Sequence, residues 1–350
     1  MFDLEQHTPN ELGYRFPAEW EPHRATWLSY PHETSYSWPG TLPRIFPYYN
    51  RFIKEISKGE QVCINIRDEK LKEKVWEELD KLGVDMDYIT FYLNPTNDAW
   101  CRDHGPAFLV NPEAKWPKVI ISWKYNGWGG KYPYDLDDKI PMLVGQYLDL
   151  PVFYPGIVLE GGAVEFNGKG TLLTTTACLL HESRNPNLFQ HEIEEYLRNY
   201  YGVEQILWVD EGIDGDDTNG HIDDCIRFFR EDGLITMVEP NKLDANHKPL
   251  HNNLKKLKEF RLQSGKQPEL VEIPMPKPVV FEDQRLPASY ANFYISNHSV
   301  IVPTYRCRED DVALSILEEC FPDRQVVGID SVEIIWGMGS WHCLSQQEPR

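Results

Sequence analysis

Four short segments of this 350-residue chain carry the side chains that could do chemistry, and each is flanked by glycine or a turn. GMGSWHC ends at Cys343, after the apolar run 332–336, which reads as a strand. A strand closing in a turn that holds Gly337 and Gly339, with His342 alongside, would deliver a side chain into a cleft. Cys343 has no cysteine neighbour, which argues against a zinc site or a local disulfide and leaves core filler or nucleophile. NDAWCRDHGP (97–106) places Asp98, Asp103 and His104 in a loop; the plain reading of Asp103 is a turn residue or an ion pair with Arg102. In LEGGAVEF (159–166), Glu160 precedes two glycines after an apolar strand end, where it could simply be solvated. DTNGHIDD (217–224) sets His221 and Asp223 two apart, running into a strand, IRFF, so that both would point at one face; a capping turn is the alternative.

Taken together, one thiol, one histidine and several carboxylates suit an electrophile that is planar and cationic. A guanidinium fits. Aspartates accept its paired N–H donors in fork geometry, each charge-assisted bond being worth ~1.5–3 kcal/mol. Its resonance-stabilised carbon needs a nucleophile as strong as a thiolate. A metal site is the rival for the His–Asp–Asp–Glu set. With no HExxH or HxH, three carboxylates and one histidine make a thin zinc site, and no metal or organic cofactor is expected.

The elements that must position these groups alternate as strands, helices and hairpins. Val62, Ile64 and Ile66 alternate as in a strand with one buried face. Asp68 can cap a helix with Leu71, Val75, Leu79 and Leu82 on one stripe, closed by Gly83. Strands follow at 87–93, 170–180, 205–210, 270–275 and 325–329. Helices are expected at 188–200, 251–260 and 310–319, and hairpins at 226–239 around Asp232-Gly233 and at 292–303 around Asn297. The spacing is irregular, with no clean repeat and no linker, so the chain reads as one α/β domain over residues 1–350. It has neither a GxGxxG after a strand nor a P-loop, which argues against nucleotide chemistry.

Composition narrows the partners. Formal net charge is −20, disfavouring nucleic acid and anionic membranes and favouring cationic ligands. No apolar run is long enough to span a membrane. The N-terminus MFDLEQHTPNE is polar and acidic, unlike a secretory signal, and seven scattered cysteines without a CxxC suit a reducing cytoplasm. Acids at 210, 211, 214, 216, 217, 223 and 224 crowd around His221.

The same segments, in order, are similar to those of the agmatine deiminases, the bacterial group related to peptidyl-arginine deiminase within the guanidino-group-modifying superfamily. The resemblance runs nearly end to end: FPAEWEPHRATWLSYP (16–31), NDAWCRDHGP, NGWGGKYPYDLDD (126–138), LEGGAVEF, LLTTTACLL with RNPN, NGHIDD, ASYANF (288–293) and HCLSQQ (342–347). It implies a five-bladed α/β propeller of ββαβ units around a central polar site. It implies that Cys343 attacks the guanidinium carbon, that Asp103 and Asp223 hold its nitrogens, that His221 protonates departing ammonia and then activates water, that Glu160 orients His221, and that Trp100 walls the substrate. Relatives commonly read GGGNIHC where this chain has GMGSWHC. The partners implied are a small cationic guanidino substrate and water, with room for a homo-oligomer. Three functions are weighed: hydrolysis of agmatine to N-carbamoylputrescine and ammonia, deimination of free or peptidyl arginine, and non-catalytic polyamine binding.

Overall fold

Asp68 shows how closely local sequence controls this fold. Its Oδ1 accepts the Leu71 amide at 2.9 Å, capping the helix Glu69–Lys81, which buries Val75 and Leu79 and is followed by Gly83 at φ 74°. The computed structural model describes residues 6–350, so the first five residues of the polar N-terminus lie outside it.

The architecture is mixed α/β, and one unit recurs five times despite the irregular sequence spacing. In each, an antiparallel strand pair is followed by a crossover helix and a strand parallel to the second. In the first sheet β1 (His23–Ser29), β2 (Gln61–Asn65) and β3 (Ile89–Tyr92) run parallel, linked by the helices Leu42–Ser57 and Glu69–Lys81. β2 is buried on both faces rather than one, because it is the inner parallel strand of its sheet. The second sheet has β4 (Ala107–Val110), β5 (Lys118–Ile121) and β6 (Val152–Phe153), with the helix Ile140–Leu148. The third has β7 (Val164–Phe166), β8 (Thr171–Thr175) and β9 (Gln205–Val209), with the helix Gln190–Tyr201. The fourth has β10 (Ile226–Arg230), β11 (Gly233–Val238) and β12 (Glu269–Pro274), with the helix His247–Glu259. A two-stranded hairpin, β13 (Val280–Phe281) and β14 (Gln284–Arg285), intervenes. The fifth sheet has β15 (Tyr294–Ile295), β16 (Ser299–Thr304) and β17 (Gln325–Asp330), with the helix Glu309–Cys320. β18 (Ser345–Pro349) then returns to pair antiparallel with β1, Thr26 opposite Gln347, and supplies the first sheet's outer strand.

Two expected strands are corrected. Residues 332–336 form a 3₁₀ turn, Ile334–Gly337, not a strand. Asp330 Oδ1 takes the Val332 amide at 3.2 Å, Ser331 O takes the Ile335 amide at 2.9 Å, and Glu333 is drawn to Arg44 and Arg306, so local hydrogen bonds defeat the β-branched pattern. Residues 170–180 are also not one strand. β8 stops at Thr175, whose hydroxyl caps the helical turn Thr176–Leu179 by accepting the Cys178 amide.

Candidate active site

The residue groups just before the first strand of each unit converge. Asp103 lies on the helical turn Cys101–His104 before β4; Glu160 caps the 3₁₀ turn Gly161–Ala163 before β7; His221 caps the 3₁₀ turn Ile222–Asp224 before β10. Asn292 precedes β15 and Cys343 precedes β18. Glu160 therefore opens its strand pair instead of ending a strand, and His221 and Asp223 share a turn instead of one face of a strand. The Asp216 carboxylate holds that turn, its Oδ2 accepting the Gly220 amide at 2.8 Å and the His221 amide at 3.0 Å.

Gly162 marks the meeting point. A Cβ there would lie 2.6 Å from His221 Nδ1, 2.8 Å from Asp103 Oδ1 and 3.1 Å from Asp223 Oδ2, so only glycine lets the three side chains close around it. Cys343 Sγ is 3.6 Å from that same Asp223 oxygen and receives the Asn292 Nδ2 amide at 3.0 Å. The expected glycine bend before the thiol is different in detail. The left-handed residue is Met338, φ 76°, while Gly339 is required because a Cβ would meet the Trp100 ring at 2.5 Å.

The structure thus brings together Cys343, His221, Asp103, Asp223 and Glu160. Asp103 accepts the Gly162 amide at 3.0 Å and Trp128 Nε1 at 2.9 Å. Glu160 Oε1 is held by Arg184 Nε at 2.6 Å; its Oε2 has no partner, and it makes no hydrogen bond to His221. Both ring nitrogens of the fully buried His221 are likewise unpartnered, as is Asp223 Oδ1. Trp100 lines a cavity of about 690 Å³ together with Asp103, Trp128, Met338 and Cys343. His104 is engaged elsewhere, with Ser29 Oγ at 2.9 Å, and Asp98 accepts the Ser37 hydroxyl at 2.6 Å.

Electrostatics separates these groups. Burial, then the Asp223, Asp224 and Asp103 carboxylates, push the Cys343 thiol well above its usual range. Burial, then Asp223 and Glu160, push Asp103 well up. Burial also raises Asp223, but hydrogen bonding and charge from His342, together with charge from His221 and Arg227, more than offset it and leave this carboxyl below the usual value. Burial raises Glu160 against the opposing Arg184, and burial pushes the His221 imidazolium down to about 3, so His221 is neutral at neutral pH. The crowd of acids around His221 is largely spoken for: Asp210 pairs with Lys256, Asp214 with Arg285 and Asp217 with Lys131.

Ligand atoms of Glu160, Cys178 and His221 lie within 4.8 Å of one another, as do those of Asp223, Asp224 and Cys343. These two sets could hold a cation. Residue-by-residue reading missed Asn292, Arg184, Trp128, Gly162 and Glu19, and gave Asp224 and His342 no role. Yet each lies in one of the segments quoted for the resemblance, which was the available signal.

The profile of the Porphyromonas-type peptidyl-arginine deiminases matches residues 15–349. An agmatine deiminase of Medicago truncatula is 32% identical over 382 aligned positions, covering 100% of both chains. The solved agmatine deiminase of Enterococcus faecalis superposes with a TM-score of 0.91 at 29% identity over 98% of each chain. That of C. jejuni, solved with substrate bound in a cysteine-to-serine variant, gives 0.88 at 29% identity over 96% of each. The chain belongs to this agmatine deiminase and peptidyl-arginine deiminase-like family, and is a hydrolase acting on the C–N bonds of guanidino groups.

Proposed function

We propose that the chain hydrolyses agmatine to N-carbamoylputrescine and ammonia through a covalent Cys343 amidino-thioether. The lining of the cavity carries the substrate assignment. It holds Asp98, Asp103, Asp216, Asp217 and Glu282 and, among the described residues, no lysine or arginine. Free arginine would leave its carboxylate there without a cationic partner, whereas agmatine brings a second positive charge. The names of the relatives point the same way.

In this reading Asp103 and Asp223 grip the guanidinium nitrogens. The Cys343 proton passes to neutral His221 as sulfur bonds to the guanidinium carbon. The C–N bond then breaks, and the departing nitrogen takes that proton to leave as ammonia. Water attacks the thioether carbon while His221 accepts its proton, and the C–S bond breaks to release the urea product. Glu160, anchored by Arg184, keeps an unpaired oxygen near His221 to favour the protonated imidazole in each step. We read the five repeated units as the blades of a five-bladed propeller around this site, forming one catalytic domain that works in the cytosol. The supporting observations are the repeated topology, the free state of all seven cysteines, and the lack of any helix long and apolar enough to cross a membrane among the described residues.

Ammonia release from agmatine, arginine and an arginyl peptide tests the assignment. Agmatine should be preferred by roughly a hundredfold or more in kcat/KM. Arginine turned over equally well would overturn it. Cys343→Ser should lose turnover and still bind agmatine; a variant that retains most of its rate would remove Cys343 from the chemistry.

A further inference from the structure

His342 stands immediately before the nucleophile and behind the guanidinium clamp. Its Nδ1 is 2.6 Å from Asp223 Oδ2, and its Nε2 is 2.8 Å from Glu19 Oε2. Glu19 is itself the hub of a buried network. It accepts Arg227 Nη2 at 3.0 Å, Arg102 Nη2 at 3.3 Å and the Ile295 amide at 2.8 Å, so it has every reason to be ionised. An ionised carboxylate only accepts hydrogen bonds. The ring nitrogen facing Glu19 therefore donates; with Asp223 ionised as well, as a guanidinium clamp requires, the other nitrogen donates too, and a histidine that donates from both nitrogens carries a positive charge.

We propose that His342 is a positioning residue, a buried imidazolium wedged between Asp223 and Glu19 that keeps Asp223 ionised and occupies one of its oxygens so that the other meets the guanidinium. The inference rests on the proposed guanidinium-binding role of Asp223. The site contains its own controls. Asp103, Asp223 and Asp224 are all buried, and only Asp223 has a cationic side chain bonded to it; the other two carboxyls are pushed up while Asp223 is held down. The charged groups around His342 balance: Arg102 and Arg227 join it against Glu19, Asp223 and Glu165. Cys343 and neutral His221 add no charge in the free enzyme. The site would thus hold two histidines of opposite character, His221 free to exchange a proton and His342 locked with both of its own.

The test separates this claim from the activity. With ¹⁵N-histidine-labelled wild-type protein at neutral pH, nitrogen–proton correlation spectra should show two imidazoles that carry slowly exchanging protons on both ring nitrogens. One is His342; the other is His23, which lies between Glu60 Oε1 at 3.0 Å and the Glu19 carbonyl at 2.7 Å. His23→Gln should leave one such signal, and a spectrum with none left overturns the proposal without any mutation at the site. In His342→Gln, which can still donate one hydrogen bond but carries no charge, kcat/KM for agmatine should fall roughly a hundredfold at pH 7. Its acid limb should move upward by about one pH unit or more, with partial recovery as pH rises. An acid limb at the wild-type position refutes the role in holding Asp223 ionised. If wild-type enzyme turns over no guanidino compound, the functional reading fails while the spectra still decide the charge of His342.

Discussion

A thiol that is buried among aspartates is a poor nucleophile until something positive arrives. In the free protein Cys343 should resist iodoacetamide through neutral pH, and its alkylation should rise only above the ordinary thiol range, since burial and three carboxylates oppose the thiolate. A cation about 4 Å away contributes about 4 kcal/mol at an effective dielectric near 20, roughly three pKa units in favour of ionisation. Measuring alkylation against pH therefore tests ligand-assisted activation, and an apparent value near 6 without ligand would refute it. Gly162→Ala tests the convergence itself. Its methyl would press on His221 and Asp103, and turnover should drop roughly a hundredfold or more with circular dichroism unchanged. Cys343, His221, Asp103, Asp223 and Glu160 were legible as candidates because their types suit one reaction, and the structure gathers them. His342, Asn292 and Glu19 could not be given roles, because those depend on partners such as Asp223, Cys343 and Arg227 that lie far away in the chain.

At the scale of elements, signals contained within a few residues were readable. The Asp68 cap, the hairpin at Asp232-Gly233 and the one at Asn297 stand where the sequence places them. Failures came where a short polar contact overrode a pattern, as at Asp330 and Ser331, which fold an apparent strand into a turn. The repeat was invisible because it is carried by strand order and not by residue identity. Arg184 shows what an element contributes to the site. Besides gripping Glu160, it bonds Asn219 Oδ1 at 2.8 Å and the Thr218 carbonyl at 2.7 Å, tying the Glu160 turn to the loop that leads into His221. Arg184→Met would strand a buried carboxylate, and urea denaturation should show a loss of about 3–5 kcal/mol. A loss below about 1 kcal/mol would mean that Glu160 is protonated or solvated instead.

At the scale of the whole molecule, each of the five units lends the candidate site one segment, so a ligand bound there would contact parts of several units at once. Cys343→Ser protein holding agmatine at a hundred times its Kd should gain about 2.7 kcal/mol of stability, read as a rise in melting temperature. No rise with agmatine, together with a rise with arginine, would point to the other substrate.

The pairing of β18 with β1 joins segments from opposite ends of the described chain, and the Cys343 sulfur sits at the threshold of that seam. Contacts of such sequence separation are among the slowest to zip up and are natural points for local opening. Catalytic competence should therefore emerge late during refolding and fade in mild urea while most of the helical signal is still intact.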